Sequence, residues 1–185
     1  MPANWRSSSM LASVALVGVT AVWGYTFLVV QGAIASMPVM DFLAWRFLVA
    51  SVVMIALRPT CLRTVTPLQL LRGIGLGIVL GLGYIAQTYG LRFTSASNSG
   101  FITGMFVVLT PVMSWILLRR KTNRNTWMVV ALATVGLSLL SLNGWSVGIG
   151  ELLTLGCAVC FAVHIVGLGE WSSQYEPYGL SLLQI

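Results

Sequence analysis

Long apolar segments that carry almost no charge alternate with short polar connections along most of the chain. An α-helix needs about 20 such residues to cross about 30 Å of hydrocarbon, and most of the segments are near or above this length. The pattern predicts six membrane-spanning helices, at 10–30, 38–57, 73–91, 96–118, 127–142 and 151–169. A last apolar run, 178–185, reaches only about 12 Å as a helix, and we interpret it as the beginning of a seventh. The sequence therefore predicts an all-α membrane protein, a polytopic helix bundle.

The composition supports this interpretation and excludes several classes of protein. Charged residues make up 8% of the 185 residues, hydrophobic residues make up 57%, and the mean hydropathy is +0.91. A soluble domain carries about a quarter charged residues, because water must solvate its surface. Soluble enzymes and nucleic-acid-binding modules are therefore excluded, and membrane lipid is the expected partner of most side chains.

The net charge of +6 comes mainly from the connections, so no nucleic acid partner is expected. Cytoplasmic connections of membrane proteins carry an excess of lysine and arginine. With the N-terminus inside, one basic residue, Arg92, falls outside and eight fall on the cytoplasmic side. The eight are Arg6, Arg58, Arg63, Arg72, Arg119, Arg120, Lys121 and Arg124. This distribution predicts a multi-pass protein of the cell inner membrane whose residues 1–9 are cytoplasmic.

Arg46 is the charged side chain predicted nearest to the middle of a span. It lies about 12 Å along its helix from Pro38, at a depth where an unpaired charge costs at least about 2.5–3.5 kcal/mol. Asp41 precedes it by five residues, about 140° around the helix, and is a poor partner. Two interpretations stay open. Arg46 snorkels or caps carbonyls of a neighbouring span, or it contacts an anionic substrate or a gate.

Four small polar side chains and one phenylalanine occupy one face of the fourth span at steps of three or four residues. The members of this face are Ser99, Thr103, Phe106, Thr110 and Ser114. Such a face predicts either the wall of a hydrated cavity or hydrogen bonds between helices. Gln87 in the third span and Trp23 near the middle of the first also lie deep, and each needs a hydrogen-bond partner.

Groups for catalysis or metal binding are sparse. Cys157, Cys160 and His164 share one face of the sixth span, but a structural zinc site needs four ligands. The other interpretation of these residues is packing by the two thiols and a hydrogen-bonded or cavity-lining imidazole. Residues 81–86 match a dinucleotide-binding pattern without the strand that this pattern requires. We therefore expect no cofactor, no metal and no enzymatic activity.

Two further patterns concern the arrangement of the helices. Gly73, Gly77 and Gly81 follow at four-residue spacing, which predicts close packing against another helix. The segments 23–38 and 161–177 each connect a span rich in small residues to the start of the next span, which suggests a faint internal repeat. Five crossings precede the second copy, so it would be inverted in the membrane, as in many secondary transporters.

Several segments of the chain resemble EamA-type transporters of the drug/metabolite transporter superfamily. The matching residues lie at 22–27 (VWGYTF), 43–47 (LAWRF), 87–103 (QTYGLRFTSASNSGFIT), 109–112 (LTPV), 126–127, 136–137 and 150–153 (GELL). The resemblance implies ten helices in two inverted five-helix repeats around a central cavity, and alternating-access transport of small molecules. It implies a first repeat at 10–142 and the start of a second at 150–185. This chain departs from the family in having basic residues at 119–121, where an acidic residue is frequent, and Gln31 near a frequent lysine.

The sequence thus favours a secondary transporter, and specifically an exporter, of small organic metabolites or drugs. The candidate substrate contacts are Trp23, Arg46, Gln87, Asn98 and Thr103. The alternative is a non-transporting membrane subunit or half-transporter fragment that acts through helix association, for example as a homodimer. Whether the natural reading frame ends at Ile185 distinguishes the two hypotheses.

Overall fold

The helices of the structure follow the predicted spans along the chain. A computed structural model describes residues 4–63, 65–120, 123–141 and 148–185, and in these ranges it contains helices and no strand. The helices are α1 (Asn4–Ser36), α2 (Val39–Leu57), α3 (Pro67–Gly90), α4 (Ala96–Gly104), α5 (Phe106–Leu118), α6 (Arg124–Ser141), α7 (Ile149–Trp171) and α8 (Pro177–Leu182), with a 3₁₀ turn at Ser172–Gln174. The predicted class, an all-α helix bundle, is confirmed.

Five helical segments of the described residues are long and apolar enough to cross a membrane. They are Met10–Ser36, Val39–Leu57, Pro67–Gly90, Ala96–Leu118 and Ile149–Gln174. These correspond to the predicted first, second, third, fourth and sixth spans. The predicted fifth span, 127–142, falls on α6, which is not among the five, and residue 142 lies outside the described ranges. That α6 crosses the membrane stays a prediction.

Many large apolar side chains lie on the outer surface of the bundle. Leu11 of α1 is 73% exposed, Leu57 of α2 is 76% exposed and Leu132 of α6 is 75% exposed. Soluble monomers rarely carry extended apolar patches of this kind, whereas hydrocarbon chains solvate them well. The exposed faces are therefore those expected of a multi-pass membrane protein.

The third helix begins two turns earlier than hydropathy predicts. It starts at Pro67, and the side chain of Thr66 accepts a hydrogen bond of 3.2 Å from the backbone N–H of Gln69. A threonine N-cap followed by proline in the first turn is a strong helix start. The first turns contain the polar residues Gln69 and Arg72, and the hydropathy pattern alone therefore placed the start too late.

The fourth span is one membrane segment made of two helices. The break is at Met105, whose backbone N–H donates to the carbonyl of Ile102 at 3.1 Å. This bond spans three residues, as in a 3₁₀ helix, rather than the four of an α-helix. Pro111 lies inside α5 and cannot donate to the carbonyl four residues earlier. The hydrogen bonding of an α-helix is therefore interrupted near the middle of the span, where Phe106 begins the second helix.

The centre of the bundle is the antiparallel contact between α3 and α7. A Cβ atom at Gly83 would lie 2.7 Å from the Phe161 ring, and one at Gly90 would lie 2.6 Å from the Thr154 hydroxyl. A Cβ atom at Gly150 would lie 2.8 Å from the carbonyl carbon of Phe93. Real Cβ atoms do not approach other atoms this closely. The two helices can thus pack at this distance only because these positions lack side chains.

The predicted glycine face of α3 is confirmed at two of its three positions. Cβ atoms at Gly73 and Gly77 would meet the residues that follow α8, at 2.6 Å (Leu183) and 3.0 Å (Gln184), whereas Gly81 faces open space. The short apolar run at 178–185 is therefore docked against α3. The prediction is wrong for Gly81, because the surface of α3 that contacts α8 does not extend that far along the helix.

We expect Gly150→Ala to lower the free energy of unfolding by about 1–3 kcal/mol, because the new methyl group meets backbone atoms that cannot move aside. The matched control is Gly156→Ala in the same helix, where nothing lies within 4 Å of the added methyl group. The control should be neutral or stabilising by up to about 1 kcal/mol, through helix propensity. Thermal unfolding in detergent measures both, and equal effects of the two substitutions would contradict the close contact.

Candidate functional site

Aromatic rings from five helices form a continuous row through the bundle. Trp23 of α1 lies 5.8 Å from Phe106 of α5 between ring centroids, and Phe106 lies 6.4 Å from Phe161 of α7. Phe161 lies 5.3 Å from Tyr84 of α3, which lies 5.4 Å from Phe47 of α2. Most of these pairs are edge-to-face, the arrangement that aromatic quadrupoles favour. We call these five residues the aromatic row.

Arg46 lies at one end of this row. Its guanidinium carbon is 4.6 Å from the centroid of the Tyr84 ring, a cation–π contact. In the ranges that the structure describes there are two salt bridges, and Arg46 takes part in neither. The side chain is partly buried and lines a groove of about 470 Å³ between α1 and α2, which Thr26 and Phe42 also line.

A buried polar pair lies one helical turn from the row. The side-chain amide of Gln87 in α3 donates a hydrogen bond of 3.0 Å to the hydroxyl of Thr103 in α4. Gln87 is 6% exposed and Thr103 is fully buried. On the same face of α4, the Ser99 hydroxyl lies 3.5 Å from that of Thr154 in α7. The small polar face predicted for the fourth span thus makes hydrogen bonds between helices at these two positions.

The structure brings four of the five predicted contact residues into one region and places the fifth elsewhere. Trp23, Arg46, Gln87 and Thr103 lie in the row or beside it. Asn98 lies apart from them in the first turn of α4, where it is exposed and its backbone N–H donates to the Ser95 hydroxyl at 3.1 Å. The substrate role of all five stays a prediction.

Sequence reasoning did not name Phe47, Tyr84, Phe106 and Phe161 as candidate substrate contacts, although it placed Phe106 on the predicted face of the fourth span. The signal was present in the helical spacing, because Tyr84 precedes Gln87 by one turn and Phe106 follows Thr103 by one turn. What the spacing could not show is that rings on five different helices meet. That information lies in the packing between helices.

His164 of α7 forms a hydrogen bond with a residue outside its own helix. His164 Nε2 lies 2.6 Å from the side-chain oxygen of Gln184, which joins α7 to the residues that follow α8. Among the described residues, no group of three histidine, cysteine or acidic side chains is placed to hold a metal ion. This favours the interpretation of His164 as a hydrogen-bonded imidazole.

Arginines close one end of the bundle. Arg58, in the connection after α2, forms a salt bridge of 2.7 Å with Glu176, and its guanidinium lies 5.6 Å from the Tyr178 ring. The Tyr178 hydroxyl donates to the carbonyl of Met54 at 2.7 Å. The backbone N–H of Gly179, together with Arg58, holds the pKa of the Glu176 carboxyl below its usual range. Glu176 is therefore ionised at neutral pH, and the salt bridge is lost only as the pH falls through that lowered pKa.

Two further arginines bind the end of α7 and the connection that follows it. Arg72 of α3 donates to the side-chain oxygen of Gln174 at 2.7 Å and to the Tyr175 hydroxyl at 2.8 Å. Arg120, after α5, lies 2.8 Å from a carboxylate oxygen of Glu170. We call Arg58, Arg72 and Arg120 with the segment 170–178 the basic clamp.

The opposite end of the bundle is held by neutral and acidic groups. Gln31 of α1 donates to the carbonyl of Thr94 at 3.1 Å. The Thr94 hydroxyl donates to a carboxylate oxygen of Glu151, whose other oxygen accepts from the backbone N–H of Gly148 at 3.0 Å. The two ends of the helices are thus joined by different chemistry.

Comparison with known proteins agrees with this arrangement. Residues 10–142 match the model of the EamA-like transporter family, which is more than half of the chain. The chain belongs to the EamA-like transporter family. The matched range coincides with the predicted first repeat, although the division into five-helix repeats stays a prediction.

Two curated relatives of this EamA-like chain are themselves described only as transporters. An uncharacterized transporter of Archaeoglobus fulgidus is 35% identical over 179 residues, which cover 95% of this chain and 54% of that protein. The uncharacterized transporter YetK of Bacillus subtilis is 29% identical over 140 residues, 73% of this chain and 42% of its own length. The chain therefore spans about half the length of these relatives. No solved structure matches it significantly.

The alignment with the archaeal relative reaches beyond the family match. Since it covers 95% of this chain, it includes α7, which supplies Phe161 to the aromatic row. In this EamA-like protein, four rings of the row come from helices before residue 142, and Phe161 comes from a helix after it.

We expect Thr103→Val to lower the free energy of unfolding by about 1–3 kcal/mol, because it leaves the buried Gln87 amide without its acceptor. Adding Gln87→Leu should recover much of the loss, since both polar partners are then removed. The control is Thr110→Val, whose hydroxyl donates only to the Phe106 carbonyl of its own helix. Thermal unfolding of the three variants tests this, and an equal loss in the control would count against a special role for the pair.

Proposed function

We propose that this chain is part of a secondary transporter that exports small organic metabolites or drugs by alternating access. The observation that carries the proposal is the aromatic row with Arg46 and the Gln87–Thr103 pair beside it at membrane depth. Sites for small molecules are mostly apolar and aromatic, with a few polar groups that orient the ligand. The membership in the EamA-like family and the names of the two relatives support transport in general.

The position of the row suits alternating access. Four of its rings come from helices of the predicted first repeat, and Phe161 comes from α7, the first helix after it. Movement of the second half of the transporter relative to the first would change the distance between Phe161 and its neighbours. A substrate that contacts both sides of the row would therefore respond to that movement.

We also propose that the protein lies in the cell inner membrane with its N-terminus and the basic clamp on the cytoplasmic side. The clamp joins arginines of the predicted first repeat to the connection between the first two helices of the second. It would have to open whenever the substrate site faces the cytoplasm.

We propose no enzymatic activity, since no nucleophile and base are paired in the aromatic row.

Transport by the full natural chain tests the proposed function. The chain would be expressed in a bacterial host that lacks its own efflux systems, and the release of organic metabolites and drugs would be profiled by mass spectrometry. We expect Trp23→Ala to lower the export of the responding solutes about tenfold, since an aromatic contact contributes about 0.5–1.5 kcal/mol beyond its buried area. The control is Trp115→Ala, at a tryptophan that is 53% exposed.

Equal export by cells with and without the protein would contradict transport. If the inactive protein then purifies as a stable homodimer, the alternative of a subunit that acts through helix association is favoured. Equal loss in the two tryptophan variants would mean that the row has no special part in transport.

The basic clamp gives a separate test of alternating access. Cys61 lies in the same connection as Arg58, is 6% exposed, and its carbonyl packs close to Gly179. We expect Arg58→Glu to raise severalfold the rate at which Cys61 reacts with a membrane-impermeant maleimide, because two carboxylates then repel each other. The double variant Arg58→Glu/Glu176→Arg should restore slow labelling.

The labelling would use vesicles with the cytoplasmic face outward and a Cys157→Ala/Cys160→Ala background. Arg63→Glu, at an exposed arginine of the same connection, is the matched control and should leave the rate unchanged. Rapid labelling only from the opposite face would contradict the proposed orientation. An unchanged rate in Arg58→Glu would contradict the role of the clamp.

A further inference from the structure

We infer that the site recognises an organic anion, a small carboxylate with an apolar or aromatic portion, through Arg46 and Tyr84. The inference rests on the proposed function and adds the chemical class of the substrate. Arg46 is the eighth residue of α2, about 10 Å along the helix from its first residue. Its charge is thus near the middle of the membrane rather than at a surface.

None of the four acidic residues of the chain neutralises this charge. Glu170 and Glu176 form salt bridges with Arg120 and Arg58 in the basic clamp. Glu151 is bound at the opposite end of the bundle by Thr94 and Gly148.

Asp41 is the fourth acidic residue, and it lies in the first turn of α2. It is exposed and forms no salt bridge with Arg46. All four acidic residues of this chain lie in the described ranges, and the contact that these ranges give the Arg46 charge is the Tyr84 ring.

The contact with Tyr84 holds the guanidinium without using its hydrogen-bond donors. A ring face attracts the cation, but the N–H groups lie in the guanidinium plane and remain able to bind an acceptor. A carboxylate matches the two parallel donors of arginine better than a single neutral acceptor does. Arg46 is thus oriented by Tyr84 and is still able to receive an anion.

The space beside Arg46 fits the rest of such a molecule. Arg46 lines an open groove of about 470 Å³ between α1 and α2. Its other walls are mainly apolar, from Val29, Val30, Phe42 and Val49. An apolar or aromatic portion would therefore be accommodated next to the charged group.

The charged residues around the groove also argue against amines and zwitterions as substrates. An ammonium group needs a carboxylate or several carbonyl acceptors when it leaves water. Among the described residues, the groove is lined by one cation and no acidic side chain. A ligand with a positive group would thus meet repulsion from Arg46 and find no acidic partner there.

The test uses four probes that share a phenyl ring and differ in charge: phenylacetate, phenethylamine, phenylalanine and 2-phenylethanol. Binding to the full natural chain, purified in lipid nanodiscs, would be measured by calorimetry. We expect phenylacetate to bind at least about tenfold more tightly than the other three, a difference of about 1.4 kcal/mol. Arg46→Gln should remove this preference, and Arg46→Lys should retain part of it because the charge remains.

Arg63→Gln is the control, because this arginine is exposed in a connection outside the site. Three results would overturn the inference: equal or tighter binding of the amine or the zwitterion, unchanged phenylacetate affinity in Arg46→Gln, or no binding of any probe. If Arg46 instead pairs with a carboxylate of a neighbouring protein segment, Arg46→Gln should lower the thermal stability without ligand and leave the order of probe affinities unchanged.

Binding and transport are measured separately, so the two proposals can fail independently. Selective phenylacetate binding without any export would support the anion site and contradict the proposed transport. Export of cationic solutes that Arg46→Gln leaves intact would support transport and contradict the anion site.

Discussion

The close antiparallel packing of α3 against α7 is the constraint on which the rest of the structure depends. Gly83 lets the Phe161 ring lie directly on the backbone of α3. At the C-terminal end of α3, Gly90 meets Gly150 and Thr154. Because α3 carries both Tyr84 and Gln87, this distance sets where the aromatic row and the polar pair can form. A side chain at position 83 would displace the Phe161 ring and disturb its contact with Tyr84.

Polar groups inside the bundle are paired across helices rather than left to solvent. Gln87 bonds to Thr103, and His164 bonds to Gln184. In hydrocarbon an unpaired polar group has no water to replace its partner, so such bonds also fix which helices are neighbours. Arg46 differs from these groups, since its contact is an aromatic ring and its charge has no carboxylate counterpart in this chain. That contrast distinguishes a group available for a ligand from groups used in assembly.

The sequence predicted the membrane class and most spans because length and apolar character alone decide whether a helix can cross a bilayer. It misplaced the start of α3, because the Thr66 cap and Pro67 precede the apolar run. It did not predict the break at Met105, which depends on local hydrogen bonding. Gln87 and Thr103 were found as deep polar residues, but that each is the partner of the other follows only from interhelical distances. Asn98 was expected beside them, yet it lies in the first turn of a capped helix, a position that the preceding Ser95 signals.

The two ends of the bundle differ in a way that bears on the proposed movement. At one end, α3 and α7 touch through glycine backbone, so separating them would undo close backbone packing. At the other end, the Arg58–Glu176 side chains are 53% and 37% exposed, so water can replace each partner as the contact opens. Surface ion pairs are weak singly and are screened by salt. Opening at the basic clamp with the α3–α7 contact as the pivot therefore requires the smaller loss of interaction, and the aromatic row lies between the two.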